Sequence, residues 1–248
     1  MKVSFPGALV AALAICGALP ARAQDPYLPP NEDWKFNMTF YLWMSGMDGE
    51  IRTDGLEAEV EADYSDFLDD IESTFGFRFE GWMRDSLGIA FDTNWLTLKD
   101  DPDIVTGEGD VEVAMGFTEV TVAGRTRSGN AYLDVIGGVR WVRFESEMSD
   151  PGGAAEDHAK NYFDPLIGLR VGFFANAWLH GSVRFDLAGF GVGTERTGHL
   201  LMAVDFLVAP TVGVTAGWKS MALEIDEEED QEVDLYLSGP VVAVRIGF

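Results

Sequence analysis

The stretch Glu232 to Phe248, EVDLYLSGPVVAVRIGF, limits the possible folds more than any other segment. Counted back in twos, Phe248, Ile246, Val244 and Val242 fall on one face and Gly247, Arg245 and Ala243 on the other. That period of two is the mark of a β-strand. A strand greasy on one side and polar on the other, closing on an aromatic residue, suits lipid outside and a polar lumen inside.

The amino terminus bears on the compartment. Lys2 precedes an apolar run from Ala8 to Leu19, then Pro20 and Ala21-Arg22-Ala23, the charged start, hydrophobic middle and small-residue exit of a secretory signal. Residues 1–23 are therefore expected to be a signal peptide directing Sec-type export. A lipoprotein cut before Cys16 is the rival, but bulky Ile15 stands where a small residue is wanted. With Cys16 inside the signal, the mature chain would hold no cysteine and no disulfide. Past residue 23 no apolar run nears the roughly 18 residues of a spanning helix. In a membrane, only a closed sheet could then satisfy the backbone.

Residues 24–33 (QDPYLPPNED) form a proline-rich tether, and residues 34–248 the barrel domain. Alternation predicts ten strands: Trp34 to Gly46, Phe75 to Arg84, Ile89 to Lys99, Val111 to Arg127, Ala131 to Glu145, Tyr162 to Ala175, Trp178 to Val192, His199 to Val208, Thr211 to Glu224, and the last stretch. The connections alternate long and short, as a barrel with small periplasmic turns and larger outer loops requires. Eight strands is the fallback. In the fourth strand Val113, Met115 and Phe117 share parity with Glu119 and Arg125, which suggests a bulge near Phe117 or a misplaced boundary. The predicted class is thus all-β, a single antiparallel transmembrane barrel with long acidic outer loops.

Alternation alone cannot say which face is inside, since a secreted lipocalin-like barrel alternates too. Magnitudes help: one Arg or Lys facing lipid at mid-depth costs about 2–4 kcal/mol. Lys35, Arg78, Arg84, Arg140, Arg170, Arg184, Lys219 and Arg245 all oppose bulky apolar residues, so all can point inward together. Glu80, Asp92, Asp134, Asp164, Asp186 and Asp205 share that face. Paired charges of both signs form the expected interior network, leaving the formal net charge of −25 largely to the loops and excluding nucleic acid as a partner. Trp34, Phe173, Phe206 and Phe248 at one end, with Phe75, Trp95 and Trp141 at the other, match interfacial belts.

Other candidates carry weaker chemistry. Ser65 to Ile71 (SDFLDDI) could form a helical turn in the first outer loop. Asp226 to Asp230, with Asp100, Asp101 and Asp103, could attract divalent ions, but the run lacks the spaced ligands of a defined loop, so no metal or cofactor is expected. His158 and His199 fall in or beside outer loops, which leaves a rim protease of the omptin kind as an alternative. His180 and Ser182 share a face without an obvious orienting acid. The glycines of Gly189-x-Gly191-x-Gly193 are expected to relieve crowding within a strand rather than bind a nucleotide.

Several short motifs resemble small Gram-negative outer-membrane β-barrels loosely grouped as OmpW-like. They are Tyr41-Leu42-Trp43 with Gly46-Met47-Asp48-Gly49, Val60 to Asp63 leading to Ser65 to Asp69, Asp164 to Arg170, Gly189 to Gly193, and Ser238-Gly239-Pro240. The resemblance implies an outer-membrane site among lipid and lipopolysaccharide, and assembly by the barrel machinery through the strand ending at Phe248. It implies no enzyme activity. A structural barrel, a narrow porin-like conduit, an omptin-like surface enzyme and a secreted soluble barrel remain the functional alternatives.

Overall fold

The computed structural model of the chain describes residues 33–53, 56–62, 71–98, 105–107, 110–149, 155–227 and 231–248. These form thirteen strands: β1 (Trp34–Trp43), β2 (Gly46–Thr53), β3 (Leu56–Ala62), β4 (Ile71–Met83), β5 (Leu87–Leu98), β6 (Val105–Gly107), β7 (Asp110–Ser128), β8 (Ala131–Ser149), β9 (Ala155–Phe174), β10 (Leu179–Gly189), β11 (Arg196–Ala209), β12 (Val212–Glu227) and β13 (Gln231–Gly247). Ten of them run antiparallel around a closed ring, β1-β4-β5-β7-β8-β9-β10-β11-β12-β13, and β1 pairs back with β13 from Asn37↔Gly247 to Trp43↔Val241. Ten strands and the terminal stretch as closing strand are as the alternation predicts.

The first outer connection differs from expectation. The stretch between the predicted strands that end at Gly46 and begin at Phe75 reads in sequence as a long acidic outer loop, but β2 continues along the outer end of β13 from Ser238↔Gly46 to Gln231↔Thr53. β3 then pairs with β2, and β6, inside the expected Asp100 to Asp110 loop, pairs with β3. Of the Ser65 to Ile71 helical turn, residues 65–70 lie outside the described residues, and Ile71 opens β4.

Side chains alternate as the period of two demands, yet the meaning of the alternation inverts partway up the wall. Toward the inner end of β8, Leu133, Val135 and Val139 face outward while buried Asp134 and Arg140 face inward. Toward the outer end, buried Val142 and Phe144 face inward while Arg143 and Glu145 face outward. β12 repeats this, with outward Val214 and Trp218 giving way to Glu224 and Asp226, and inward Thr215 and Lys219 to Met221, Leu223 and Ile225. The inner storey is apolar outside and ionic inside; the outer storey is polar outside and apolar inside.

This corrects the expected bulge near Phe117. β7 pairs with β8 in unbroken register from Asp110↔Ser149 to Ser128↔Ala131. Val113, Met115, Phe117, Glu119 and Thr121 all point inward and are all buried. The strand keeps its phase and crosses from the apolar storey into the ionic one.

Outside the inner storey, aromatic rings gather at two levels. Trp34, Phe36 and Phe248 stack near the inner end, as do Trp178 and Phe206. Trp95, Trp141 and Phe163 pack together near the outer boundary. Arg placed in the apolar band costs about 2–4 kcal/mol. Val135→Arg should therefore lower the unfolding free energy of the lipid-reconstituted protein by about that amount in a denaturant titration. Arg143→Leu, on the same face of β8 above the boundary, should shift it by no more than about 0.5 kcal/mol.

Candidate functional site

The inward side chains of the inner storey condense into linked ionic clusters. At the inner rim, the Lys35 ammonium lies 3.0 Å from Asp85. Arg84, expected in the interior, instead sits in the β4–β5 turn with its side chain 73% exposed, paired at 2.9 Å with Asp33. Its parity fitted the lumen, but a turn residue with φ of 49° no longer obeys strand alternation.

A relay of charges runs from β7 and β8 across the lumen to β1. Arg125 lies between the rings of Trp82 and Tyr132, 3.8 and 3.9 Å from their centroids, and pairs at 2.6 Å with Asp134. Arg170 joins Asp134 at 2.7 Å to Glu80 at 3.1 Å. Arg78 continues from Glu80 at 2.6 Å to Asp92 at 2.9 Å, and Asp92 accepts the Tyr41 hydroxyl hydrogen at 2.7 Å. Glycines make room for the rings: a Cβ at Gly76 would come within 2.0 Å of the Tyr41 ring, and one at Gly172 within 2.2 Å of the Tyr132 ring.

The second cluster is buried in the barrel, with Glu119, Arg184 and His199 at the wall of a cavity. Arg140 donates through Nε to Glu119 at 2.9 Å, through Nη1 to Thr197 at 2.7 Å, and through Nη2 to Asp186. Arg184 reaches Glu119 at 2.6 Å and Asp186 at 2.7 Å, and Asp186 also meets His199 Nδ1 at 2.9 Å. A third group joins Asp205 to His180 Nδ1 at 2.7 Å and to Arg245 at 3.2 Å, while His180 Nε2 lies 3.1 Å from the Tyr132 hydroxyl.

Two predicted interior residues stand apart. Asp164 is buried but accepts hydrogen bonds from the Thr194 amide and hydroxyl, both at 2.8 Å, and so anchors the β10–β11 connection. Lys219 is buried with its ammonium over the rings of Trp43 at 4.3 Å and Tyr41 at 5.3 Å.

Several expectations change here. His199 does not lie at the outer rim; it is buried in the barrel against Asp186. His180 does have an orienting acid, Asp205, which lies on the neighbouring β11 and is invisible to local spacing. The His158 side chain and most of the acidic runs at Asp100 to Asp103 and Asp226 to Asp230 lie outside the described side chains. Gly189 and Gly191, with φ of 97° and 69°, shape the turn after β10 rather than relieve a strand interior. Glu119 and Arg125 were passed over because their parity was ascribed to a bulge; the unbroken count from Arg125 back to Val113 was the signal that could have found them.

Glu119, Asp186 and His199 bring ligand-type atoms within 4.8 Å of one another. Their carboxylate oxygens are already held by Arg140 and Arg184, so a cation would have to expel two guanidinium groups of its own sign. The arrangement is a neutralised charge network, whose members are costly singly and tolerable together.

Between the storeys lies a cavity of about 130 Å³, lined by polar Asn94, Lys219 and His199 and by apolar Phe117, Leu201 and Met221 among others. A smaller one of about 50 Å³ continues from it toward the inner end past Trp82 and His180. They share Asn37, Glu80, Arg170, Ser182 and Arg245.

No protein-family model matches the chain, nor does any curated protein sequence. Among solved structures, the outer-membrane protease OmpT of Escherichia coli is similar with a TM-score of 0.56 and 10% identity, over 88% of this chain and 99% of that one. Ail, the attachment invasion locus protein of Yersinia pestis, aligns at 0.36 with 12% identity over 88% and 100%. The outer-membrane protein AlkL aligns at 0.36 with 18% identity over 94% and 96%. The likeness to OmpT is one of fold, that of an outer-membrane β-barrel.

Removing one partner of a buried ion pair costs about 3–5 kcal/mol because the other is stranded. Arg140→Met should destabilise the folded barrel by about that much in a denaturant titration. Adding Glu119→Gln to Arg140→Met should recover part of the loss.

Proposed function

We propose that this chain is an integral outer-membrane barrel closed to through-flow, a structural protein rather than a porin-like conduit or an enzyme. One observation carries this reading. The inward faces of the outer storey meet in an apolar core in which Trp43, Phe144, Leu235 and Leu237 are fully buried. Water-filled conduits for polar solutes need lining groups that replace hydration. A packed apolar core offers none.

The outward apolar band with its aromatic margins supports contact with outer-membrane lipid and lipopolysaccharide. The closing strand β13, paired to β1 and followed by Phe248, supports delivery through the barrel assembly machinery, and the charged start, apolar run and small-residue exit of residues 1–23 support Sec-type export before it. The OmpW-like grouping rests on the short motifs alone. The omptin-like alternative needs a catalytic group at the outer rim, and His199, one of its two candidates, is enclosed among Asp186 and its arginines. The outward band of Leu133, Val135, Ile167 and Val244 counts against a secreted soluble barrel.

Purified protein in planar lipid bilayers should give no conductance steps. Stepwise ionic currents from the wild-type protein would overturn the closed-barrel reading and restore the conduit.

A further inference from the structure

The cavity between the storeys carries polar groups that the charge network does not use. Asn94 is 1% exposed, lines the cavity, and has neither its amide nitrogen nor its oxygen in a hydrogen bond among the described residues. His199 Nε2, also on the cavity wall, is likewise without a partner. Lys219 is 8% exposed, and among the described residues its ammonium meets aromatic faces and no carboxylate within salt-bridge distance. The carboxylates that act on it electrostatically are committed elsewhere, Asp92 to Arg78 and Tyr41, and Glu119 to Arg140 and Arg184. The cavity wall presents five cations, Arg78, Arg170, Arg184, Lys219 and Arg245, against four carboxylates, Glu80, Asp92, Glu119 and Asp205.

A buried ammonium lacking a counter-charge is costly unless an anion is supplied to it. The geometry points to a ligand site in this cavity for a small hydroxylated monocarboxylate. Its carboxylate would take the Lys219 ammonium and the Asn94 amide hydrogens. With Nδ1–H of His199 donating to Asp186, Nε2 is left as an acceptor, which suits a hydroxyl on the ligand. Its short carbon chain would lie against Phe117, Leu201 and Met221, where the apolar storey begins. A simple inorganic anion would leave that wall and His199 Nε2 unmatched. Approach would be from the inner end, through the smaller cavity past Ser182 and Arg245, because the apolar core blocks the outer end.

The site uses the closed outer storey only to define the blind end, so its test is separate from bilayer conductance. Racemic 3-hydroxybutyrate is titrated into the full chain reconstituted in lipid nanodiscs and followed by saturation-transfer NMR, with butyrate and chloride as competitors. We expect saturable binding, weaker competition by butyrate, none by chloride, and at least a tenfold loss of affinity in Lys219→Met. Asn94→Leu, which removes the amide without changing charge, should weaken binding several-fold and carries the test if the lysine variant does not fold. Absence of saturable binding to the wild type, unchanged affinity in the folded variants, or full displacement by equimolar chloride would each overturn the site. Conductance steps together with Lys219-dependent binding would sink the closed barrel and leave the site standing.

Discussion

The structure depends on a backbone that must be satisfied by hydrogen bonding at every level while its surroundings change from lipid to water. Closure of β1 on β13 meets the first demand, since a ring has no unpaired edge in the apolar band. The change of surroundings is met without breaking register. Strands β7, β8 and β12 keep their pairing and alternation across it, and only the chemistry assigned to the two faces is exchanged at the boundary. On β7 the exchange falls between Phe117 and Glu119, on β8 between Arg140 and Val142, and on β12 between Lys219 and Met221.

Two different solutions to filling a narrow barrel follow from that exchange. In the inner storey, the outward face is apolar and the inside is filled by long charged side chains that neutralise one another. Such networks hold together only if nearly complete, because a stranded charge in a confined interior is worse than none. Arg140 illustrates this, as all three donor nitrogens are used, on Glu119, Thr197 and Asp186. In the outer storey the logic is that of a soluble protein, with Met115, Phe144, Leu223 and Leu235 packed away from solvent. The hairpin of β2 and β3 with β6 extends that outer wall.

Much of this was legible because the controlling signal is local. Period-two alternation, short turns such as Ser128-Gly129-Asn130, and the terminal stretch suffice to place ten strands and most inward charges. What was not legible depended on neighbours across the sheet. The acid that orients His180 comes from β11, and the outer connection after Trp43 becomes strand only because β13 is there to pair with it. The exchange of faces was visible in the parity of β7, but one face was assumed to mean the same thing along the whole strand. Arg84 failed for the opposite reason, because a turn ended the alternation one residue too soon.

The dry interior of the outer storey is the feature on which the closed barrel depends. The only cysteine in the chain is Cys16, so single cysteines placed at Met115 and Leu237, with Ser182 as the inner-cavity control, can be probed with a small charged thiosulfonate in reconstituted protein. The prediction is that Met115→Cys and Leu237→Cys stay unmodified while Ser182→Cys reacts. Rapid modification at Met115→Cys and Leu237→Cys in a protein that remains folded would mean that water fills the outer lumen, and the two-storey account would be wrong.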